Sequence, residues 1–111
     1  MNQAIYKKLK EVARAKDVIT YGELNQELNL GLDFEKDKDR AEIGQLLDEI
    51  NRYEHSQGHP MLTAVVIRSG ENMPGTGFFE LARQLGVYQG DSDLVFFVHE
   101  LCKVHDYWSA H

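Results

Sequence analysis

The sequence contains little cysteine and proline, and it has no long apolar stretch. Of its 111 residues, one is cysteine and two are proline, which excludes a disulfide-stapled or collagen-like chain. No apolar run approaches the roughly 20 residues that a membrane-spanning helix requires, and the N-terminus lacks the apolar stretch of a signal peptide. We therefore expect one domain over residues 1–111, located in the cytoplasm and without a membrane partner.

Charge is unevenly distributed along a chain whose formal net charge is −6. Residues 1–16 contain five basic residues and one acidic residue, whereas residues 17–111 contain seven basic and seventeen acidic residues. A basic first helix can contact phosphate groups. We favour the simpler interpretation, a solvated helix face that offsets an acidic body.

Hydrophobic spacing predicts five helices. The first covers about residues 2–16, and the second begins at Tyr21, because Thr20 and Glu23 have the spacing of a capping box. The charged segment at residues 33–40 is predicted to be a mobile loop that turns into the start of the third helix, and Gly44 in the second turn of that helix indicates the close approach of another backbone. The apolar stripes are Ile5, Leu9 and Val12; Leu24 and Leu28; Ile43, Leu46, Leu47 and Ile50; Phe78, Leu81, Ala82 and Leu85; and Leu94, Phe97, Val98 and Leu101.

Met61–Arg68 lacks helical spacing and is rich in β-branched residues, which predicts a strand covered on both faces. A lone strand would leave its backbone groups unpaired, so its partner must be Asp17–Ile19, the stretch around Gly75–Phe79, or a second copy of the chain. The glycine-rich loop Ser69–Gly77 then has the position of a wing. This order of elements predicts a mainly α fold with a small β element and five helices, similar to a winged helix-turn-helix.

Two short motifs resemble the DNA-binding domain of the alkylguanine-DNA alkyltransferases. The run Thr-Tyr-Gly-Glu-Leu at Thr20–Leu24 is similar to the Tyr-Gly helix start of that family. Arg40-Ala41 with Gly44 is similar to its Arg-Ala-Val-Gly helix, with one extra residue before the glycine. The resemblance covers roughly residues 5–80, and it implies that Tyr21 and Arg40 lie near a nucleotide flipped out of the DNA.

The resemblance ends where the chemistry of that family takes place. Its reactive Pro-Cys-His-Arg segment aligns near Ala64–Ile67, where this chain has Ala-Val-Val-Ile. Both the thiol nucleophile and its activating histidine are missing, and Cys102 lies far downstream, so we exclude alkyl transfer and expect no enzyme. A nearer resemblance is to uncharacterised small bacterial proteins that share Tyr-Gly-Glu-Leu, Pro-x-Leu-Thr-x-Val-Val and Pro-Gly-x-Gly-Phe. Tyr21–Leu24, Pro60–Val66 and Pro74–Phe78 match that pattern, which implies a family and a fold but brings no activity.

Other candidate sites favour a structural interpretation. His99, Cys102 and His105 are residue types that bind zinc, but at 100° per residue the outer pair is about 240° apart on one helix. We therefore predict no metal or cofactor, and we expect Cys102 to pack as a small apolar side chain. Pro74–Phe78 lacks the Gly-Lys-Ser/Thr ending of a phosphate-binding loop, so we expect a tight connection in which Phe78 and Phe79 enter the core.

Two functions remain open. The first is a non-catalytic nucleic-acid-associated module that presents the third helix to a groove, with Tyr21, Lys36, Lys38, Arg40, Arg52 and Arg68 as its contact residues. Because acidic residues lie among these bases, binding to double-stranded DNA should be weak and should decrease steeply with salt. The alternative is a protein-interaction or homodimerisation module with no nucleic-acid role. Its contacts would be the strand edge and the aromatic residues Phe96, Phe97, Tyr107 and Trp108.

Overall fold

Five α-helices make up most of the chain in a computed structural model that describes residues 1–111. They are α1 (Gln3–Arg14), α2 (Tyr21–Glu27), α3 (Asp37–Ser56), α4 (Thr76–Gln84) and α5 (Asp93–Ser109). Two short strands, β1 (Ile19–Thr20) and β2 (Val66–Ile67), pair in parallel, with Ile19 opposite Val66. The predicted mainly α fold with five helices and a small β element is therefore confirmed.

A capping box fixes the start of α2, as the sequence predicts. The hydroxyl oxygen of Thr20 accepts the backbone N–H of Glu23 at 3.1 Å, and the Glu23 carboxylate accepts the backbone N–H of Thr20 at 2.9 Å. Because Thr20 is also the last residue of β1, the strand leads directly into the helix that begins with Tyr21. The sheet therefore sets the position of Tyr21.

The segment between α3 and α4 is the most deeply buried part of the chain. Every residue of Met61–Ile67 is buried. Leu62–Val65 forms a 3-10 turn that packs against α1, α3 and α5, and only β2 is extended. The predicted strand over Met61–Arg68 is therefore too long, and Arg68 is exposed, whereas the burial of Met61–Ile67 is confirmed. Of the three partners predicted for it, the structure has Ile19–Thr20, which overlaps Asp17–Ile19. A two-residue partner strand cannot satisfy eight extended residues, whereas a 3-10 turn satisfies part of its backbone internally.

Polar side chains from α3 and α5 hold this buried segment in place. The side-chain amide N–H of Asn51 donates to the Thr63 hydroxyl oxygen at 2.6 Å. In return, the backbone N–H of Thr63 donates to the side-chain oxygen Oδ1 of Asn51 at 3.1 Å. The backbone N–H of Met61 donates to the Glu100 carboxylate at 2.9 Å. Asn51 and Glu100 are buried, and the sequence analysis identified neither, because a single polar residue on a helix is usually solvated.

A second polar chain joins α1, α3 and α5 near the end of α3. The Tyr6 hydroxyl donates to the fully buried Glu54 carboxylate at 2.6 Å, and Nδ1 of His59 lies 3.1 Å from the same carboxylate. The Tyr107 hydroxyl lies 2.7 Å from Nε2 of His59. Burial, followed by the hydrogen bond to Glu54, raises the pKa of Tyr6 well above its usual value. These contacts stabilise the protein at the C-terminal end of α3.

The buried face of α5 differs from the predicted stripe. Phe97, Glu100, Val104 and Trp108 are its buried residues. Leu94 and Val98 were expected in the core, but their exposed fractions are 58% and 45%, and Cys102 is also exposed. The reason is that α5 packs against α1 and the 3-10 turn, which lie on the side of the helix away from these residues.

We expect Thr63→Val to lower the free energy of unfolding by about 2 kcal/mol, because it leaves the buried Asn51 amide without its acceptor. Thr76→Val is the matched control, since Thr76 is exposed and its change should stay within about 0.5 kcal/mol. Urea denaturation of both variants measures the difference. Equal stabilities would contradict a structural role for the Asn51–Thr63 pair.

Candidate functional site

A cleft of about 490 Å³ opens between α2, α3 and the loop that connects β2 to α4. Aromatic and aliphatic side chains form much of its wall, and the rings of Tyr21 and Phe34 meet edge to face with their centroids 6.4 Å apart. The apolar lining residues are Tyr21, Phe34, Ile43, Leu47 and Phe78, and the polar ones are Arg40, Asp48, Thr63, Arg68, Ser69 and Thr76. The cleft therefore combines flat apolar surface with a few polar groups.

Tyr21 connects the two sides of the cleft. Its hydroxyl oxygen accepts the backbone N–H of Gly75 at 3.0 Å, so its own O–H remains free to donate. A side-chain carbon on Gly75 would lie 3.1 Å from this oxygen, which explains a glycine at that position. Burial raises the pKa of Tyr21, while the Gly75 hydrogen bond and the charge of Arg68 act in the opposite direction. Tyr21 is therefore a protonated hydrogen-bond donor at neutral pH.

Gly44 has a different role from the predicted one. The sequence indicated that another backbone approaches it, but no atom lies within 4 Å of the position a side chain would take. Gly44 instead lines the cleft on the same helix as Arg40 and Asp48. Its missing side chain leaves open space in the wall of α3, so that prediction was wrong.

The two arginines of the cleft have acidic partners close by in sequence. The Arg40 guanidinium donates to the carbonyl of Phe34 and pairs with Asp37, and Nε of Arg68 lies 3.1 Å from the Glu71 carboxylate. These contacts hold both side chains at the rim. They also reduce the positive field that the arginines project into the cleft.

Asp48 is the acidic side chain of the lining, and it is partly buried. It takes part in none of the ion pairs or side-chain hydrogen bonds of the structure. Burial raises the pKa of its carboxyl above the usual value, and the charge of Arg52 opposes that shift. The cleft thus contains one carboxylate that has no hydrogen-bond donor from the protein itself.

The N-terminus of α4 forms another part of the wall. Its capping residue is Gly75, which has no side chain to satisfy the first backbone N–H groups, and Thr76 and Gly77 line the cleft. Such helix ends attract negative charge. Phe78 and Phe79 are buried, so the expected tight connection that directs them into the core is confirmed. The sequence analysis missed that the same connection borders a cleft.

The structure brings together three of the six predicted contact residues. Tyr21, Arg40 and Arg68 line the cleft, although they come from three separate segments of the chain. The other three, Lys36, Lys38 and Arg52, are exposed and lie outside its lining, and Arg52 donates to the Gln84 side chain at 3.2 Å. The spacing of Arg40, Gly44 and Asp48, each four residues from the next, places all three on one helix face and is the signal that could have identified Asp48.

Metal-binding side chains do not cluster in this structure. The structure contains no group of three or more histidine, cysteine, aspartate or glutamate side chains that could hold an ion, and His99, Cys102 and His105 do not form one. None of the helices has the length and apolar character needed to cross a membrane.

What the cleft binds has to be inferred from the residues that line it. Comparison with known proteins finds no family model, no curated protein and no solved structure that matches this chain. The resemblance to uncharacterised small bacterial proteins, and the more distant one to the alkyltransferases, therefore remains a prediction.

We expect Gly75→Ala to lower the free energy of unfolding by about 1 kcal/mol, because its new methyl group crowds the Tyr21 hydroxyl. Tyr21→Phe in the same chain should relieve that crowding, so the two changes should not add. Gly77→Ala is the control: it has open space, lies within α4, and should stabilise the protein by about 0.5 kcal/mol. Thermal unfolding of Gly75→Ala, Tyr21→Phe, their double variant and Gly77→Ala measures these effects. Additive changes at Gly75 and Tyr21 would count against the contact.

Proposed function

We propose that this protein is a non-catalytic nucleic-acid-binding module of the winged-helix type, which holds one unpaired nucleotide in its cleft. One observation carries the proposal. Tyr21, Arg40 and Arg68, which sequence reasoning selected as nucleic-acid contacts from separate segments, line a single cleft with aromatic walls. Aromatic surface next to cations is the combination that proteins use to bind unpaired nucleotides.

A nucleotide matches the two parts of this cleft. Its base is planar and apolar on both faces, and it can lie against the partly exposed rings of Tyr21 and Phe34. Its phosphate is an anion, which favours Arg40 and Arg68 at the rim and the uncapped N-terminus of α4. The base and the phosphate of one nucleotide therefore each meet a complementary surface in the cleft.

The charge on the outer face of α3 favours binding in the cleft over insertion of this helix into a DNA groove. Glu42 and Glu49 are exposed on this helix beside Arg52, so the face that would enter a DNA groove carries no net positive charge. The predicted wing, Ser69–Gly77, is shorter than expected, because Thr76 and Gly77 belong to α4. The remaining loop turns back on itself: the backbone N–H of Arg68 donates to the Met73 carbonyl at 2.8 Å. In our proposal this loop acts as a wall of the cleft. The acidic body makes binding weak and dependent on salt.

A second candidate function is homodimerisation, and the surface of α5 favours it. Leu94, Val95 and Val98 are large apolar side chains that are all exposed in the first half of the helix. Clustered apolar residues on a surface are typical of protein contacts. This candidate uses a different surface from the cleft and requires no nucleic acid.

Fluorescence anisotropy with a labelled single-stranded DNA and with its duplex tests the first candidate. At about 50 mM salt we expect the single strand to bind more tightly, and about 200 mM salt should weaken both strongly. Arg68→Gln should reduce affinity several-fold and should lower the salt slope by about one.

Lys103→Gln is the matched control, because it removes the same charge from α5, outside the cleft. It should leave affinity nearly unchanged. Absence of binding to either DNA at about 50 mM salt would refute the proposed function, and equal effects of the two variants would refute its location.

Light scattering at increasing protein concentration tests the second candidate. If α5 forms a dimer contact, the wild-type protein should reach twice the monomer mass, and Val98→Glu should remain monomeric because it places a charge in an apolar contact. Gln26→Glu, which adds the same charge at an exposed position of α2, should leave the mass unchanged. A wild-type monomer at every concentration would exclude this function.

A further inference from the structure

We propose that Asp48 determines the base specificity of the cleft, by selecting nucleobases that carry an amino group over thymine and uracil. This inference rests on the proposed function, since it concerns the same cleft. It states which class of base the cleft prefers and which residue selects that class. No step of it requires a reaction.

Asp48 lies in the wall of the cleft. It lines the cleft from α3, one turn after Gly44, whose missing side chain leaves open space beside it. Its charge also contributes to the pKa of Tyr21, and so does that of Arg68 on the opposite side of the cleft. Tyr21 and Asp48 line the same cleft. In our proposal, a base that lies against the Tyr21 ring turns its edge toward the Asp48 carboxylate.

The second argument is that Asp48 differs from the other charged residues of the lining. Arg40 pairs with Asp37, and Arg68 pairs with Glu71, so both have partners in the free protein. Asp48 has no such partner although it is partly buried. A carboxylate that has lost part of its hydration without gaining a donor binds a ligand N–H favourably, because the ligand replaces what the protein does not supply.

The third argument is the hydrogen-bonding character of the bases. An ionised carboxylate only accepts hydrogen bonds. Cytosine and adenine each present an exocyclic amino group, and guanine presents an amino group next to a ring N–H. Thymine and uracil present a carbonyl oxygen where cytosine has its amino group. Their one donor on that edge, the ring N3–H, lies between two carbonyl oxygens, and both of these repel an approaching carboxylate. The cleft should therefore disfavour these two bases.

Tyr21 supplies the complementary donor. Its hydroxyl oxygen is occupied by the Gly75 N–H, so its hydrogen is available to an acceptor atom of the ligand. Cytosine has both an amino donor and neighbouring acceptors on one edge. Asp48 and Tyr21 together offer one acceptor and one donor to that edge.

The test compares oligodeoxycytidine with oligodeoxyuridine of the same length, by fluorescence anisotropy at about 50 mM salt. The two bases have nearly the same size and stacking surface. They differ at N3 and at the group on C4, which is an amino group in cytosine and a carbonyl oxygen in uracil. We expect the wild-type protein to bind the cytidine strand about tenfold more tightly. Asp48→Asn should abolish or reverse that ratio, because an amide can donate to the uracil oxygen.

Glu42→Gln is the matched control, since it removes an exposed acidic charge from the same helix outside the cleft. It should raise affinity for both strands slightly and leave their ratio unchanged. Circular dichroism shows whether Asp48→Asn is folded. If it is not, titration of the wild-type protein with dCMP and dUMP, followed by NMR, provides the same comparison without a variant.

The outcomes separate the two proposals. Failure of both strands to bind overturns the proposed function together with this inference. Binding of both strands with equal affinity by the wild-type protein overturns the role of Asp48 and leaves nucleic-acid binding intact. An unchanged ratio in folded Asp48→Asn overturns it as well. A cytidine preference that is lost only in Asp48→Asn supports it.

Discussion

Burial of the segment Met61–Ile67 is the constraint on which the rest of the structure depends. A buried backbone must find hydrogen-bond partners inside the protein, and here Asn51 and Glu100 supply them from two different helices. The segment ends in β2, so its position fixes where Arg68 and the loop to α4 begin. This arrangement also shapes the cleft, because Thr63 of the segment and Arg68 and Ser69 directly after it are part of the cleft lining.

Nearby acidic side chains offset the positive charges at the cleft. The arginines at its rim have acidic neighbours, which limits the attraction of this acidic protein for any polyanion. In the proposed function, stacking on Tyr21 and hydrogen bonds to Asp48 add to the phosphate contacts of Arg40 and Arg68. Such contacts would let a protein with a net charge of −6 be selective without being a general DNA binder.

Sequence reasoning predicted what depends on local chemistry. The capping box at Thr20 and the tight connection at Pro74–Phe78 follow from neighbouring residues alone, and the structure contains both. The 3-10 turn in Met61–Ile67 was missed, because the choice between a strand and a turn depends on the three helices around it. Exposure of Cys102 was missed for the same reason, since spacing defines a helix face but not which neighbour covers it. The spacing of Arg40, Gly44 and Asp48 could have placed Asp48 on one helix face with them, but only the fold shows that Tyr21 and Arg68 line the same cleft.

The most direct test of the cleft as the nucleotide site is a map of amide chemical shifts during titration with a short oligodeoxycytidine. Our account predicts that the largest changes fall on Tyr21, Arg68 and the Gly75–Phe78 segment, which meet only at the cleft. Changes confined to the basic residues of α1, or to the exposed apolar face of α5, would contradict it.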